Sequence, residues 1–142
     1  MSAEPDLKQY CILIVDDDAD NLGVAAEYLQ FVGLTVRTAA DGVEGMKVLE
    51  TFTPHLILMD LSMPNMDGWQ MLKEIRANSK LAAIPVLALT AHAMAHDLER
   101  VSSAGFNGHI TKPFFLATLL DTVKRWLPHP QPDAETGKPQ AG

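Results

Sequence analysis

Short apolar runs alternate along this chain with segments of helical period, and that alternation confines it to repeated βα units around a mostly parallel sheet. The first run is Tyr10 to Val15. It leads into a helix in which Leu22, Ala25, Ala26 and Leu29 share one face, closed by Gly33 just past its end. A weaker strand, Thr35 to Ala39, precedes a helix over about Gly42 to Phe52, with Val43, Met46, Val48 and Leu49 on its buried side. His55 to Met59 is the next buried strand, and Asp60 stands at its C-terminal end. After the turn-forming residues Ser62, Pro64, Asn65, Asp67 and Gly68 comes a helix from about Trp69 to Ala77. The strand Val86 to Leu89 has Thr90 at its tip, and a helix from about Ala95 to Ala104 stops at Gly105. Finally, Gly108 to Ile110 runs into Thr111-Lys112-Pro113 before a helix over about Phe115 to Leu127 that buries Leu116, Leu119, Leu120 and Val123. Five strands and five helices are therefore expected in an α/β fold.

Length and charge narrow the function. A chain of 142 residues with 47% apolar and 20% charged residues can bury a core of its own as one domain, without disulfides or structural metal. The net charge of −7 leaves no basic stripe for a phosphate backbone, so no nucleic-acid partner is expected. The apolar runs are too short to span a bilayer, and Met1 to Asp6 lacks the pattern of a signal peptide, so no membrane partner and a cytoplasmic location are expected. Cys11 is read as a small core residue without a functional role. Residues 1–9 are expected to be an N-terminal extension, 10–128 the folded domain, and 129–142 a Pro-rich disordered tail that leaves no room for an output domain.

In a parallel sheet all strands point their C-terminal ends to one edge, and ligands bind in the crevice there. Asp16, Asp17 and Asp18 follow the first strand, Asp60 ends the third, Thr90 ends the fourth, and Lys112 lies just past the fifth. Clustered carboxylates raise one another's energy, so they lift a pKa or hold a cation. Mg²⁺ suits few protein carboxylates plus an incoming phosphate, with Asp17 and Asp60 as direct ligands. A carboxylate is also a competent nucleophile in phosphoryl transfer, and the remaining chemistry is charge stabilisation. Lys112 would supply a point charge, Thr90 a hydroxyl donor, and Ala91 a small side chain that leaves the site open. Taken singly, each signal has a plain alternative. An Asp-rich loop is often a solvated turn or a helix cap, the role expected of Asp18 or Asp20. A strand-end Thr often reflects only β-propensity. Their joint placement at one edge is what argues for a site.

The segments Ile14-Val15-Asp16-Asp17-Asp18, Leu58 to Gly68 around Asp60, Leu89-Thr90-Ala91 and Ile110-Thr111-Lys112-Pro113-Phe114 resemble the signatures of response regulator receiver domains, over about Tyr10 to Leu127. The resemblance implies a flavodoxin-like, doubly wound five-stranded parallel sheet in the order 2-1-3-4-5 with five helices. It implies phosphorylation of Asp60 by a histidine kinase or histidine phosphotransfer protein in a two-component phosphorelay. It further implies Mg²⁺ held by Asp17, Asp60 and the Ser62 carbonyl with Asp16 acting through water, a phosphoryl group held by Thr90 and Lys112, and a cis Lys112-Pro113 bond. The stretch Leu89 to Met94 looks most like single-domain receivers of the cell-polarity type and receivers of hybrid kinases. A downstream protein would then read the face made by the fourth helix, fifth strand and fifth helix. His109, where the family often carries an aromatic residue, is either a half-buried polar side chain or the rotating switch residue, while His92 and His96 are read as surface residues rather than metal ligands.

Two rivals differ in class. A metal-dependent phosphatase also starts from a strand-end Asp, but no separate acid/base Asp in the required loop, together with a cap domain, is read in the chain, so no turnover of an external substrate is expected. A receiver serving only as a docking module would be expected to have lost one of Asp16, Asp17, Asp60, Thr90 and Lys112, and all are present.

Overall fold

A computed structural model describes residues 6–128. The expected tail at 129–142 and the first five residues lie outside that range. The strands are β1 (Cys11–Val15), β2 (Thr35–Ala39), β3 (Leu56–Asp60), β4 (Val86–Thr90) and β5 (Gly108–Thr111). The helices are α1 (Ala19–Phe31), α2 (Gly42–Val48), α3 (Gly68–Ala77), α4 (Ala95–Ala104) and α5 (Leu116–Trp126). The strands are all parallel, in the order β2-β1-β3-β4-β5. That is the doubly wound arrangement implied by the motifs. A 3₁₀ turn, Leu7–Gln9, precedes β1, and Leu7 packs against the core.

Alternation along the strands divides the core into two layers. Ile12, Ile14, Leu56, Leu58, Leu87, Leu89 and Ile110 meet Ala25, Ala26 and Leu29 of α1 and Leu119 and Val123 of α5. On the other face Leu13, Val15, Ile57, Met59, Val86 and Ala88 meet Met71, Leu72 and Ile75 of α3 and Val101 of α4. Because every residue of β3 and β4 is buried, these strands are the rigid floor under the sheet's C-terminal edge.

The α2 region departs from expectation. The helix ends at Val48 instead of Phe52, because tight turns from Lys47 to Glu50 and Val48 to Thr51 bring the chain round before Thr53-Pro54. Its buried stripe is Gly42, Gly45 and, beyond the helix, Leu49, so Val43 faces outward and is 48% exposed. Phe52, freed from the helix, lies under the Arg37 guanidinium at 4.9 Å. Cys11 is partly exposed and does not belong to the core, since it opens β1 at the edge remote from the acidic residues. Its N–H donates to His55 Nδ1 at 3.1 Å.

Arg76, at the end of α3, ties three segments together. Its Nη1 donates to the carbonyls of Ala82 (3.1 Å) and Ile84 (2.8 Å), and its Nη2 to Gly105 O (2.9 Å) and Asn107 Oδ1 (2.8 Å). Asn107 Oδ1 also accepts from the Val86 N–H at 2.8 Å. The guanidinium fork suits this work because its donors lie in one plane at fixed angles.

Candidate functional site

The sheet's register brings its strand ends level. Val15 stands beside Met59, Asp60 beside Leu89, and Thr90 beside Thr111, so the residues just past β1 and β5 meet those ending β3 and β4. Between β1 and β3 the chain order reverses, which opens a crevice at that edge. Among the described residues the buried polar side chains are Asp16, Asp60 and Thr90, all at this edge. Burying polar groups is costly unless they are paired, and here the pairing is mutual.

Lys112 Nζ lies 3.0 Å from Asp16 Oδ2 and 3.6 Å from Asp60 Oδ2. Asp16 Oδ1 accepts from the Asp18 N–H at 3.0 Å, which turns the chain sharply after β1. Asp18 caps α1, accepting from the N–H groups of Asp20 and Asn21, so its expected role as a helix cap is the observed one. Asp17 projects to solvent, yet its carboxylate joins Asp16 and Asp60 in a set whose oxygens all lie within 4.8 Å of one another. One ammonium therefore faces two carboxylates, with a third carboxylate close to both. Burial, then the charge of Asp16, pushes the Asp60 pKa up to about 6 against the opposing pull of Lys112. Burial pulls the Lys112 pKa down, but its bond to Asp16 and the charges of Asp16 and Asp60 more than offset this, so it stands above the usual lysine value.

Thr90 Oγ1 accepts from the His92 N–H at 2.9 Å and donates to the His92 carbonyl at 3.3 Å, so the hydroxyl now braces the loop after β4. The Lys112 N–H donates to Thr90 O at 2.8 Å, and the following bond to Pro113 is cis. Ser62 and Ala91 are exposed at the mouth. The structure thus assembles Asp16, Asp17, Asp60, Thr90, Lys112 and Ser62 at one edge. His109 is exposed on β5, not half-buried, and both His92 and His96 are exposed.

Two features had no clear signal in the sequence. The loop after β3 is fastened to the loop after β2: Asn65, at φ +67°, donates to Asp41 Oδ2 at 2.6 Å, and the Gly42 N–H donates to Met66 O at 2.9 Å. The second is a cleft of about 280 Å³ that runs from Asp60, Thr90 and Lys112 to Trp69 on α3 and to Asp97, Arg100 and Val101 on α4. Its far wall is made by α3 and α4 together.

The family model for the response regulator receiver domain matches residues 12–124. The polar-differentiation response regulator DivK of Brucella anthropi is 30% identical over 116 residues, covering 82% of this chain and 94% of that protein. The chemotaxis response regulator CheY4 of Vibrio cholerae superposes with a TM-score of 0.79 at 32% identity, covering 83% of this chain and 98% of that one. The receiver domain of a sensor histidine kinase from Pseudomonas aeruginosa, whose structure has a magnesium ion coordinated in the active-site cleft, gives 0.75 at 36% identity, covering 82% of this chain and 96% of that one.

Proposed function

The chain belongs to the response regulator receiver domains of two-component signalling, and from that premise we propose that it is a switch set by transfer of a phosphoryl group to Asp60 from a histidine kinase or histidine phosphotransfer protein. The observation that carries this reading is the gathering of the buried polar side chains Asp16, Asp60 and Thr90 around Lys112 at one open sheet edge. The chemistry is confined to the protein's own aspartate, with no turnover of an external substrate. No helix among the described residues is long and apolar enough to cross a membrane.

The donor set suits Mg²⁺: hard carboxylate oxygens, close together, with more negative charge than Lys112 neutralises. Asp17 and Asp60 would hold the ion directly, with the Ser62 carbonyl, and Asp16 through water. When bound, it supplies positive charge against that developing on the transferring group. Asp60 attacks from the floor of the crevice, held in place by β3. The Lys112 ammonium, released from Asp60 as the carboxylate becomes an acyl phosphate, takes a phosphoryl oxygen. The Thr90 hydroxyl takes another by giving up its local partner at His92. That exchange carries the change into the loop before α4 and along the Lys112–Thr90 backbone bond. A downstream protein would read the face of α4, β5 and α5, where the exposed His109 has a path inward as Thr90 moves.

Incubation with acetyl phosphate and Mg²⁺ should add one phosphoryl group by intact mass, removable by hydroxylamine and prevented by a chelator. No gain, even with a cognate kinase, would favour the docking-module reading. Asp17→Asn should weaken Mg²⁺ binding by about tenfold or more while leaving the fold intact, as tryptophan fluorescence titration would measure. Lys112→Met should slow the mass gain by about a hundredfold, the typical cost of one lost donor to a developing charge. Time courses of intact mass would give that rate.

A further inference from the structure

We propose that Asp41, which lies outside the acidic cluster, is a positioning residue for the metal: through Asn65 it fixes the loop that presents the Ser62 carbonyl, and so sets the affinity for Mg²⁺. This rests on the reading of Asp17, Asp60 and the Ser62 carbonyl as direct ligands. Asp60 is fixed by β3, in which every residue is buried. Ser62 has no such support. It lies exposed in the loop between β3 and α3, and among the described residues none makes a hydrogen bond with it. Its place therefore depends on how the loop is fastened to either side. Behind it, the Gly68 N–H closes the base of the loop on Leu61 O at 3.0 Å. Ahead of it, Asn65 and Met66 are fastened to the turn after β2.

Asp41 is the hub of that turn. Its Oδ1 accepts from the Glu44 N–H at 2.8 Å, which caps α2, and its Oδ2 accepts from Asn65 Nδ2 at 2.6 Å. The bond from Glu44, and then that from Asn65, hold the Asp41 carboxyl below the usual carboxylate range. It is therefore ionised at neutral pH, and both bonds are charge-assisted. Gly42 brings the two backbones together: its N–H donates to Met66 O at 2.9 Å, and a Cβ there would lie 2.6 Å from the same oxygen. Asn65 reaches Asp41 from a left-handed backbone, φ +67°, which asparagine tolerates better than most residues. Fastened in this way, the loop holds Ser62 in place before the ion arrives. A loosened loop has to be ordered as the ion binds, and that lost entropy is subtracted from affinity. Asp41 is not among the clustered carboxylates, so its influence falls on holding the ion and not on the transfer step.

The test is Mg²⁺ titration followed by tryptophan fluorescence, since Trp69 stands just past the end of this loop. Asp41→Ser keeps a cap for α2 but gives up the reach to Asn65. Asn65→Gly removes the donor while permitting the backbone conformation. Asp41→Asn keeps the cap, and the Asn65 amide can turn over to meet it. Affinity for Mg²⁺ should fall by about tenfold in Asp41→Ser and in Asn65→Gly, the lower end of what losing an outer partner of a metal site costs. The double variant should bind no more weakly than either single one, and Asp41→Asn should bind as the native protein does. At saturating Mg²⁺ the rate of mass gain from acetyl phosphate should match the native rate in every variant. Asn65 is exposed, so its variant keeps the test sound if Asp41→Ser folds poorly. Native affinity in both single variants, additive losses in the double variant, or a slower transfer at saturating Mg²⁺ with affinity unchanged overturns the positioning role and leaves the acceptor reading standing. Binding by Asp41→Asn as weak as by Asp41→Ser assigns the effect to charge and also overturns it. Absence of Mg²⁺ binding by the native protein overturns both this role and the metal reading on which it rests.

Discussion

The Asp60→Asn protein is expected to gain no phosphoryl group from acetyl phosphate and Mg²⁺, a fall in rate on the order of a thousandfold or more, as loss of a nucleophile requires. It is also expected to melt higher than the native protein at neutral pH without Mg²⁺. The Asp60 pKa is raised from 3.8 to about 6, chiefly by burial and then by Asp16. A carboxyl with a raised pKa holds its proton more tightly in the folded chain than in the unfolded one. Its contribution to stability is therefore present below about pH 4 and is lost as the pH rises through about 6. Above that range the ionised carboxylate is a net cost that the amide removes. The gain should be about 1 kcal/mol, or roughly 3–6 °C, once partial solvent screening is allowed for. Lys112 keeps Asp16 as a partner at 3.0 Å, so no charge is stranded. Calorimetry at pH 4 and pH 7.5 should show the difference growing with pH. A drop in melting temperature at pH 7.5 would remove burial and repulsion as the dominant influences on Asp60.

Gly68→Ala is the substitution expected to damage both stability and transfer. A Cβ at this first residue of α3 would run into the backbone carbonyl of Asp60 and lie 3.0 Å from Leu61 Cα. Neither atom belongs to a side chain that could rotate aside. The Gly68 N–H also donates to Leu61 O at 3.0 Å, so the loop that closes here cannot open without losing that bond. A loss of about 2–4 kcal/mol is expected, with Asp60 displaced from the crevice and mass gain slowed accordingly. Gly23→Ala is the control: nothing lies within 4 Å of a Cβ there, and an exposed helical position should gain about 0.5–1 kcal/mol. Denaturant melts of the two variants should therefore shift in opposite directions.

The strand ends were legible because they depend on short apolar runs, and any run of the right length delivers the residue after it to the same edge. Asp16, Asp60, Thr90 and Lys112 could be placed this way before any contact was known. The Lys112–Asp16 pair could not, since its 3.0 Å separation depends on how far the loop after β5 folds back. Val43 was misplaced because apolar periodicity alone does not set a helix's rotation, and buried glycines at 42 and 45 mark the packed side with almost no hydrophobic signal. Arg76 reads on paper as an exposed charge in a helix's last turn, although it serves carbonyls as far away as Gly105. Trp69 and Arg100 lie on different helices, and their meeting is a property of α3 and α4 packing side by side. Local pattern located the chemistry; placement of the helices decided what surrounds it.

The clamp at Arg76 makes α4 a lever. Its C-terminal end is moored at Gly105 and, through Asn107, to the start of β4, whereas Val101 is the helix's one buried residue and Met94 at the opposite end is 66% exposed. A helix of ten residues is about 15 Å long, so a tilt of roughly 10° about the moored end swings the free end by about 2.5 Å. That free end begins just past Thr90 and His92. The largest displacement would thus occur beside Asp60, the proposed acceptor, and fade toward Gly105, so a partner gripping the first turn of α4 would sense such a tilt more strongly than one gripping the last.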